Sequence, residues 1–293
     1  MATPILKKTD CLDEADRSET TDSREINRYF MRLAYRGENF HGWQRQPGDV
    51  TVQQVVEEAL ARVFRLPEVA VTGAGRTDAG VNASCMWAHF DLPAPAAEGP
   101  ASAAGKPFPD PAGNDRLIHS LNCMLAPDVV IFEIVRVHSE AHARFDATSR
   151  SYRYYAHTQR NPFVRELSWL APPGLDFDAM NRAAAILLEV SDFTSFSKLH
   201  TDTKTNICRV SHAVWRQLDA SRWVFEITAD RFLRNMVRAV VGTLVEVGRG
   251  KLSIQGFRDI IDRRNRCAAG TSMPPGPLFL HDITYPYPLG KLL

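Results

Sequence analysis

The chain has 293 residues, 44% of them apolar and 24% charged, with a formal net charge of +1. That length suits two domains, the near-neutral total gives no strong global pull toward polyanions, and no apolar run approaches the ~20 residues of a bilayer span. The five cysteines (Cys11, Cys85, Cys123, Cys208, Cys267) are odd in number, widely spaced and free of C-x-x-C or Cys/His ligand patterns, which argues against a disulfide framework or a zinc site and for a reducing compartment.

Residues 1–27 carry four basic and seven acidic side chains, a net of −3, against +4 for the rest. They are polar and without periodicity, which predicts a disordered extension. They also lack the basic-then-apolar order of a secretory signal, so the cytoplasm is the expected location, with no membrane association.

Partial alternation over Arg28–Arg36, with Tyr29, Met31, Leu33 and Tyr35 on one face, predicts a strand. The glycine-flanked stretch from Gly37 to Pro47 follows. Its Phe40 and Trp43 divide evenly between core and ligand roles, while Gln44, Arg45 and Gln46 read as a polar lining that meets a ligand. Thr51 caps a predicted helix to about Arg65, with Val52, Val55, Val56, Ala59, Leu60 and Val63 at helical spacing. A strand over Glu68–Thr72, the loop Gly73-Ala74-Gly75-Arg76-Thr77-Asp78-Ala79-Gly80-Val81 and a strand over Cys85–Leu92 come next. Pro93–Asp115 is dense in Pro, Ala and Gly and predicts a long mobile surface loop. A helix (Arg116–Leu125) and a strand (Val129–Val137) complete a β-α-β-β-α-β first half, the order of a split βαβ unit.

The segment Ala143–Tyr155 leads into a strand with Tyr152 and Tyr154 on one face. Arginine beside tyrosine suits an RNA-facing surface, because aromatics stack on bases and arginines meet phosphates; the plain alternative is a strand with an aromatic core face. An amphipathic helix (Asp176–Val190), two paired strands (Cys208–Leu218 and Trp223–Ala229), a long helix (about Phe232–Val247), a further helix (Ile254–Arg264) and a last strand (Leu280–Tyr285) complete the chain. The domains are therefore placed at 28–145 and 146–293.

The Asp78 loop and the long helix are the candidate site. Arg234 and Arg238 read as one turn apart on a shared helical face. Arg238 lies inside the nearly apolar stretch Met236–Gly242, where an arginine needs a partner. The carboxylate that fits is Asp78, in a loop held by flanking strands. A nearby guanidinium favours the anionic form of a carboxylate and, through its planar fork, fixes its direction. Such an oxygen serves as a nucleophile or as a stabiliser of a developing oxocarbenium ion at an anomeric carbon.

Several stretches, in order, resemble the tRNA pseudouridine synthase A family over about residues 28–288. They are Tyr35-Arg36-Gly37 through Phe40-His41-Gly42-Trp43-Gln44-Arg45-Gln46, Thr51-Val52-Gln53, and Gly75-Arg76-Thr77-Asp78-Ala79-Gly80-Val81. Ala143-Arg144-Phe145, Tyr152-Arg153-Tyr154, Phe232-Leu233-Arg234-Asn235-Met236-Val237-Arg238 with Val241-Gly242, Ala269-Gly270 and Leu278-Phe279-Leu280 follow. The resemblance implies isomerisation of uridine to pseudouridine in the anticodon stem-loop of tRNA, without cofactor or metal, by a homodimer in which one tRNA touches both subunits. It implies an α+β fold of two split-βαβ-type domains whose mainly antiparallel sheets join around a central cleft.

By the same resemblance Asp78 is the catalytic nucleophile, Arg238 its ion-pair partner, and Tyr152 the tyrosine that stacks on the base and assists proton transfer. Arg76 fills the space left by the flipped nucleotide. Thr77, Arg144 and Arg234 join Gln44 and Arg45 as substrate-binding residues. Whether Asp78 attacks C1′ or removes a proton to give a glycal stays open. The sequence departs from the family pattern at Asn82, where a His is usual, in the Pro93–Asp115 loop, in the first 27 residues and at Pro274-Pro275-Gly276-Pro277. Two rival classes fit less well. A silent RNA-binding protein would carry an RNP1-type aromatic strand, and a glycoside hydrolase would need a second, matched carboxylate.

Overall fold

The computed structural model describes residues 26–93, 109–198 and 205–289. Among these residues nine strands form one sheet: β1 (Ile26–Tyr35), β2 (Val71–Gly73), β3 (Asn82–Pro93), β4 (Val129–Val137), β5 (Ser149–His157), β6 (Trp169–Leu170), β7 (Val210–Gln217), β8 (Arg222–Ala229) and β9 (Leu278–Thr284). The order is β4-β1-β3-β9-β5-β8-β7, with β2 beside β3 and β6 beside β5. Pairing is antiparallel except between β3 and β9 and between β5 and β6. The molecule is thus α+β with a mainly antiparallel sheet, as expected.

Helix α1 (Val52–Phe64) starts where the Thr51 side chain accepts the N–H of Gln54. It buries Val52, Val56, Ala59, Leu60 and Phe64, and ends where Arg65 adopts the left-handed conformation at φ 52°. Asn114 caps α2 (Asp115–Met124), Asp176 caps α3 (Phe177–Ala185) and Ser253 caps α5 (Ile254–Asp262) in the same way, each worth about 1 kcal/mol. One apolar core gathers β1, β3 and β4 with α1 and α2; the other gathers β5, β7 and β8 with α3, α5 and α4 (Met236–Gly248). The strand β9 contributes to both, Leu280 and Ile283 to the first and Leu278 to the second. Val81, at the end of the Asp78 loop, also packs into the second core. Fully burying a side chain such as Leu60 or Leu244 stabilises the fold by roughly 1.5–3 kcal/mol.

Three expectations change. The long helix begins at Met236, not Phe232, because Asn235 takes φ 64° and breaks the helical path. Asn adopts this conformation more readily than most residues. The helix expected over Asp176–Val190 stops at Ala185 and tightens into a 3-10 turn over Ile186–Leu188. Ile26 and Asn27, expected in the extension, already belong to β1, with Asn27 buried. The remainder of the extension, residues 1–25, and residues 94–108 of the long loop lie outside the described residues.

Candidate active site

The Asp78 loop is held by a second loop laid against it. The Trp43 N–H donates to the Thr77 carbonyl at 3.3 Å, and the Gly80 N–H to the Phe40 carbonyl at 3.3 Å. Phe40 and Trp43 themselves are core residues. Gly42, at φ 90°, passes so close that a Cβ there would stand 2.5 Å from the Thr77 carbonyl oxygen. Within the loop the Val81 N–H returns to the Asp78 carbonyl. The Thr77 side chain faces inward, its Oγ1 2.8 Å from the buried Tyr35 hydroxyl. Thr77 therefore anchors the loop, and the substrate contact expected of its side chain is not what this geometry supplies. Asn82, just beyond, accepts the Gly37 N–H and donates to the Gly276 carbonyl. Its amide thus accepts from within the first half and donates across the seam to the second, and this is the position where the sequence departs from the family's usual His.

Two arginines meet the Asp78 carboxylate. Arg234 Nε lies 3.5 Å from Oδ1 and Arg238 Nη1 lies 3.8 Å from Oδ2. Both exceed direct hydrogen-bond range, so each contact is an ion pair that leaves the oxygens room to accept another group. The Asp78 and Arg238 side chains keep about a fifth of their surface exposed, whereas Arg234 is 60% exposed. Arg238 is clamped: its Nε donates to the Met273 carbonyl at 2.6 Å and its own carbonyl accepts the Met273 N–H. The close approach that permits this clamp passes Gly242, where a Cβ would stand 1.9 Å from the Thr271 carbonyl oxygen. The two arginines do not share a helical face, because Arg234 precedes the break at Asn235, yet both reach the same carboxylate.

Tyr152 stands edge-on to Phe232, ring centroids 5.0 Å apart. Burial, then the negative charge of Asp78, raises its pKa above the ordinary phenol value, with Arg150 pulling the other way. Tyr152 is therefore held as a neutral phenol. Tyr154, fully buried, has a hydroxyl with no hydrogen-bond partner among the described residues.

Three further arginines, Arg76, Arg144 and Arg231, lie close enough to one another to interact electrostatically. Arg76 is exposed. Desolvation, then the charges of Arg76 and Arg231, lowers the pKa of Arg144 from the ordinary guanidinium value. Arg45 instead turns to Glu57 on the surface of α1, and Gln44 is exposed beside it. Sequence reasoning missed Arg150. Its Nη1 donates to the Ala147 and Asp230 carbonyls at 2.7 and 2.9 Å, and its Nη2 to the carbonyls of Ala74, at 3.1 Å, and Arg144. One guanidinium thus braces the root of the Asp78 loop, the Arg144 segment and the residue before Arg231. The available signal was its place two residues before Tyr152 on β5.

The family model for "tRNA pseudouridine synthase" matches residues 183–286. A tRNA pseudouridine synthase A of Parabacteroides distasonis is 54% identical over 262 residues, covering 89% of this chain and 97% of that protein. The chain belongs to the tRNA pseudouridine synthase A family. Its relatives in Bacteroides fragilis, at 52% identity over 89% of this chain and 97% of the other, and in Limosilactobacillus fermentum, at 35% over 90% and 98%, carry the same name. Membership in this synthase family makes the protein an isomerase of uridine in tRNA. No helix among the described residues is long and apolar enough to cross a membrane.

Proposed function

We propose that this chain isomerises uridine to pseudouridine in the anticodon stem-loop of tRNA, with Asp78 as the reacting carboxylate. The observation that carries the reading is Asp78 itself. It is a partly buried carboxylate on a doubly anchored loop, paired with two arginines at distances that leave its oxygens free to react. The reaction breaks the N1–C1′ bond of the nucleoside and forms C5–C1′, and the C5 proton departs at the end. A target base inside a helix must first leave the stack, at a cost of a few kcal/mol. Arg76, exposed at the loop's outer edge, offsets that cost by occupying the vacated space. Asp78 meets the sugar at C1′, by attack or by proton removal to a glycal. Arg238, clamped by Met273, fixes the carboxylate. Arg234 and Arg144 hold the RNA. Gln44 and Arg45 form an outer contact beside α1. Tyr152 supplies a ring face for the base and a hydroxyl that assists transfer of the C5 proton.

The protein acts as a homodimer in the cytoplasm, with domains over 28–145 and 146–293 meeting along β9. Incubating the full-length protein with unmodified tRNA and digesting to nucleosides tests the reading. The wild type yields pseudouridine, and Asp78→Asn binds tRNA without turnover. Free uracil or unchanged uridine from the wild type would sink the proposal, as would substantial turnover by Asp78→Asn.

A further inference from the structure

Phe145 is the most conspicuous apolar side chain near the site, 76% exposed although it sits in an ordered turn. Its ring rests on His142, centroids 4.2 Å apart, and His142 meets the buried His89 ring edge-on at 4.6 Å. His89 in turn stacks on Phe30 at 6.0 Å. The series runs from the core to the surface and ends at the exposed Phe145 ring. The turn that presents it is over-determined. His142 Nδ1 accepts the N–H groups of Arg144 and Phe145 at 3.1 and 3.2 Å. Asp146 accepts the His142 N–H and the Tyr287 hydroxyl. Burial holds His142 below its ordinary imidazole pKa, which keeps that Nδ1 lone pair available.

The surroundings identify the ligand chemistry. The Arg144 guanidinium lies 5.8 Å from the Phe145 ring centroid, inside the field of Arg76 and Arg231. The Arg144 carbonyl is tied through Arg150 to Ala74, at the root of the Asp78 loop. An exposed aromatic ring beside the Arg144 guanidinium, with Arg76 and Arg231 close enough to act on that guanidinium, matches a base with its phosphates, because stacking needs only a π face and the cations neutralise the backbone. A protein partner's apolar anchor would leave those arginines unpaired in a desolvated interface.

We propose that Phe145 is a stacking platform for an unpaired tRNA base next to the target uridine, backed by His142 and flanked by Arg144. The proposal rests on the pseudouridine synthase reading and adds to it a binding residue outside the Asp78 centre. The ring caps the strand end that the flipped nucleotide leaves unstacked, and so favours the opened loop.

The test uses the full-length protein and anticodon stem-loop RNAs carrying 2-aminopurine at each loop position in turn. At one position the wild type quenches the fluorophore, and Phe145→Ala removes that quenching and weakens stem-loop binding about tenfold. Phe145→Tyr retains both properties, whereas Phe145→Leu, which keeps apolar bulk without a ring, loses the quenching. Identical emission from wild type and Phe145→Ala at every position overturns the platform. So does a Phe145→Leu variant that behaves like wild type. A change in the sedimentation of RNA-free Phe145→Ala would assign the ring to a protein contact and also overturn it. Pseudouridine formation in intact tRNA is measured in parallel. A wild type that forms none refutes the parent reading, whereas normal turnover without a responsive position refutes the platform alone.

Discussion

Replacing Arg150 by Met keeps the stem's volume and removes four donated bonds. Two of them, to the Ala147 and Ala74 carbonyls, are partly buried; the other two, to Asp230 and Arg144, face solvent. Water replaces the guanidinium at the exposed carbonyls, so their loss costs little. The two partly buried carbonyls lose charge-assisted partners, and at about 1–2 kcal/mol each the fold loses about 2–4 kcal/mol. The functional loss is larger than that figure suggests, because the same guanidinium sets the root of the Asp78 loop and the entry to Arg231. A shift of ~1 Å in a reacting group costs about a hundredfold in rate. Arg150→Lys restores a charge but not the fork, so it recovers only part of both losses. Urea unfolding at constant slope measures the first quantity, and single-turnover pseudouridine formation with saturating enzyme measures the second. An Arg150→Met variant within 0.5 kcal/mol of wild type and within about twofold of its rate would refute the brace.

The two arginines on Asp78 separate by exposure. Arg238→Ala lowers kcat by about a hundredfold or more, while the largely exposed Arg234→Ala acts mainly through KM; steady-state kinetics on one tRNA checks this, and the reverse pattern would reassign the partner. Tyr154→Phe leaves unfolding free energy unchanged within about 0.5 kcal/mol or raises it, because the hydroxyl has no hydrogen bond to lose; a tenfold drop in turnover would show that the hydroxyl meets substrate or water. His89 responds to pH. Burial, then Arg28 and His142, lowers its pKa to about 4, so the unfolded chain takes up the proton first. Its contribution is complete above ~6.5 and is lost as pH falls toward the folded value, amounting to about 2 kcal/mol by pH 5. His89→Gln keeps an acceptor for the Ala143 N–H without titrating, so its urea midpoint changes less between pH 7.5 and 5; equal changes in both proteins would exclude His89.

Much of this site is legible in the sequence where composition and position conflict. Arg238 in an apolar helix demanded a carboxylate, and a glycine-bounded loop offered Asp78. The helical wheel misplaced Arg234, because one Asn at positive φ interrupts the periodicity and no neighbouring residue announces it. Thr77 reads as a ligand contact beside Arg76 and Asp78, yet its hydroxyl is turned to Tyr35, a partner 42 residues away. Arg150 escapes because its partners are backbone carbonyls from three separate segments. Side-chain identity says nothing about which carbonyls the fold will leave open.

The placement of β9 has a consequence for how the protein comes into being. A ribosome makes this strand after every other element among the described residues, yet it belongs in the middle of the sheet, parallel to β3 and antiparallel to β5. Until it arrives, the two half-sheets present bare edges to each other and to the cell, a state open to off-target strand pairing. The carboxylate and the clamped guanidinium come from opposite sides of that gap, so a nascent chain halted before Leu278 carries both reactive groups without their final alignment.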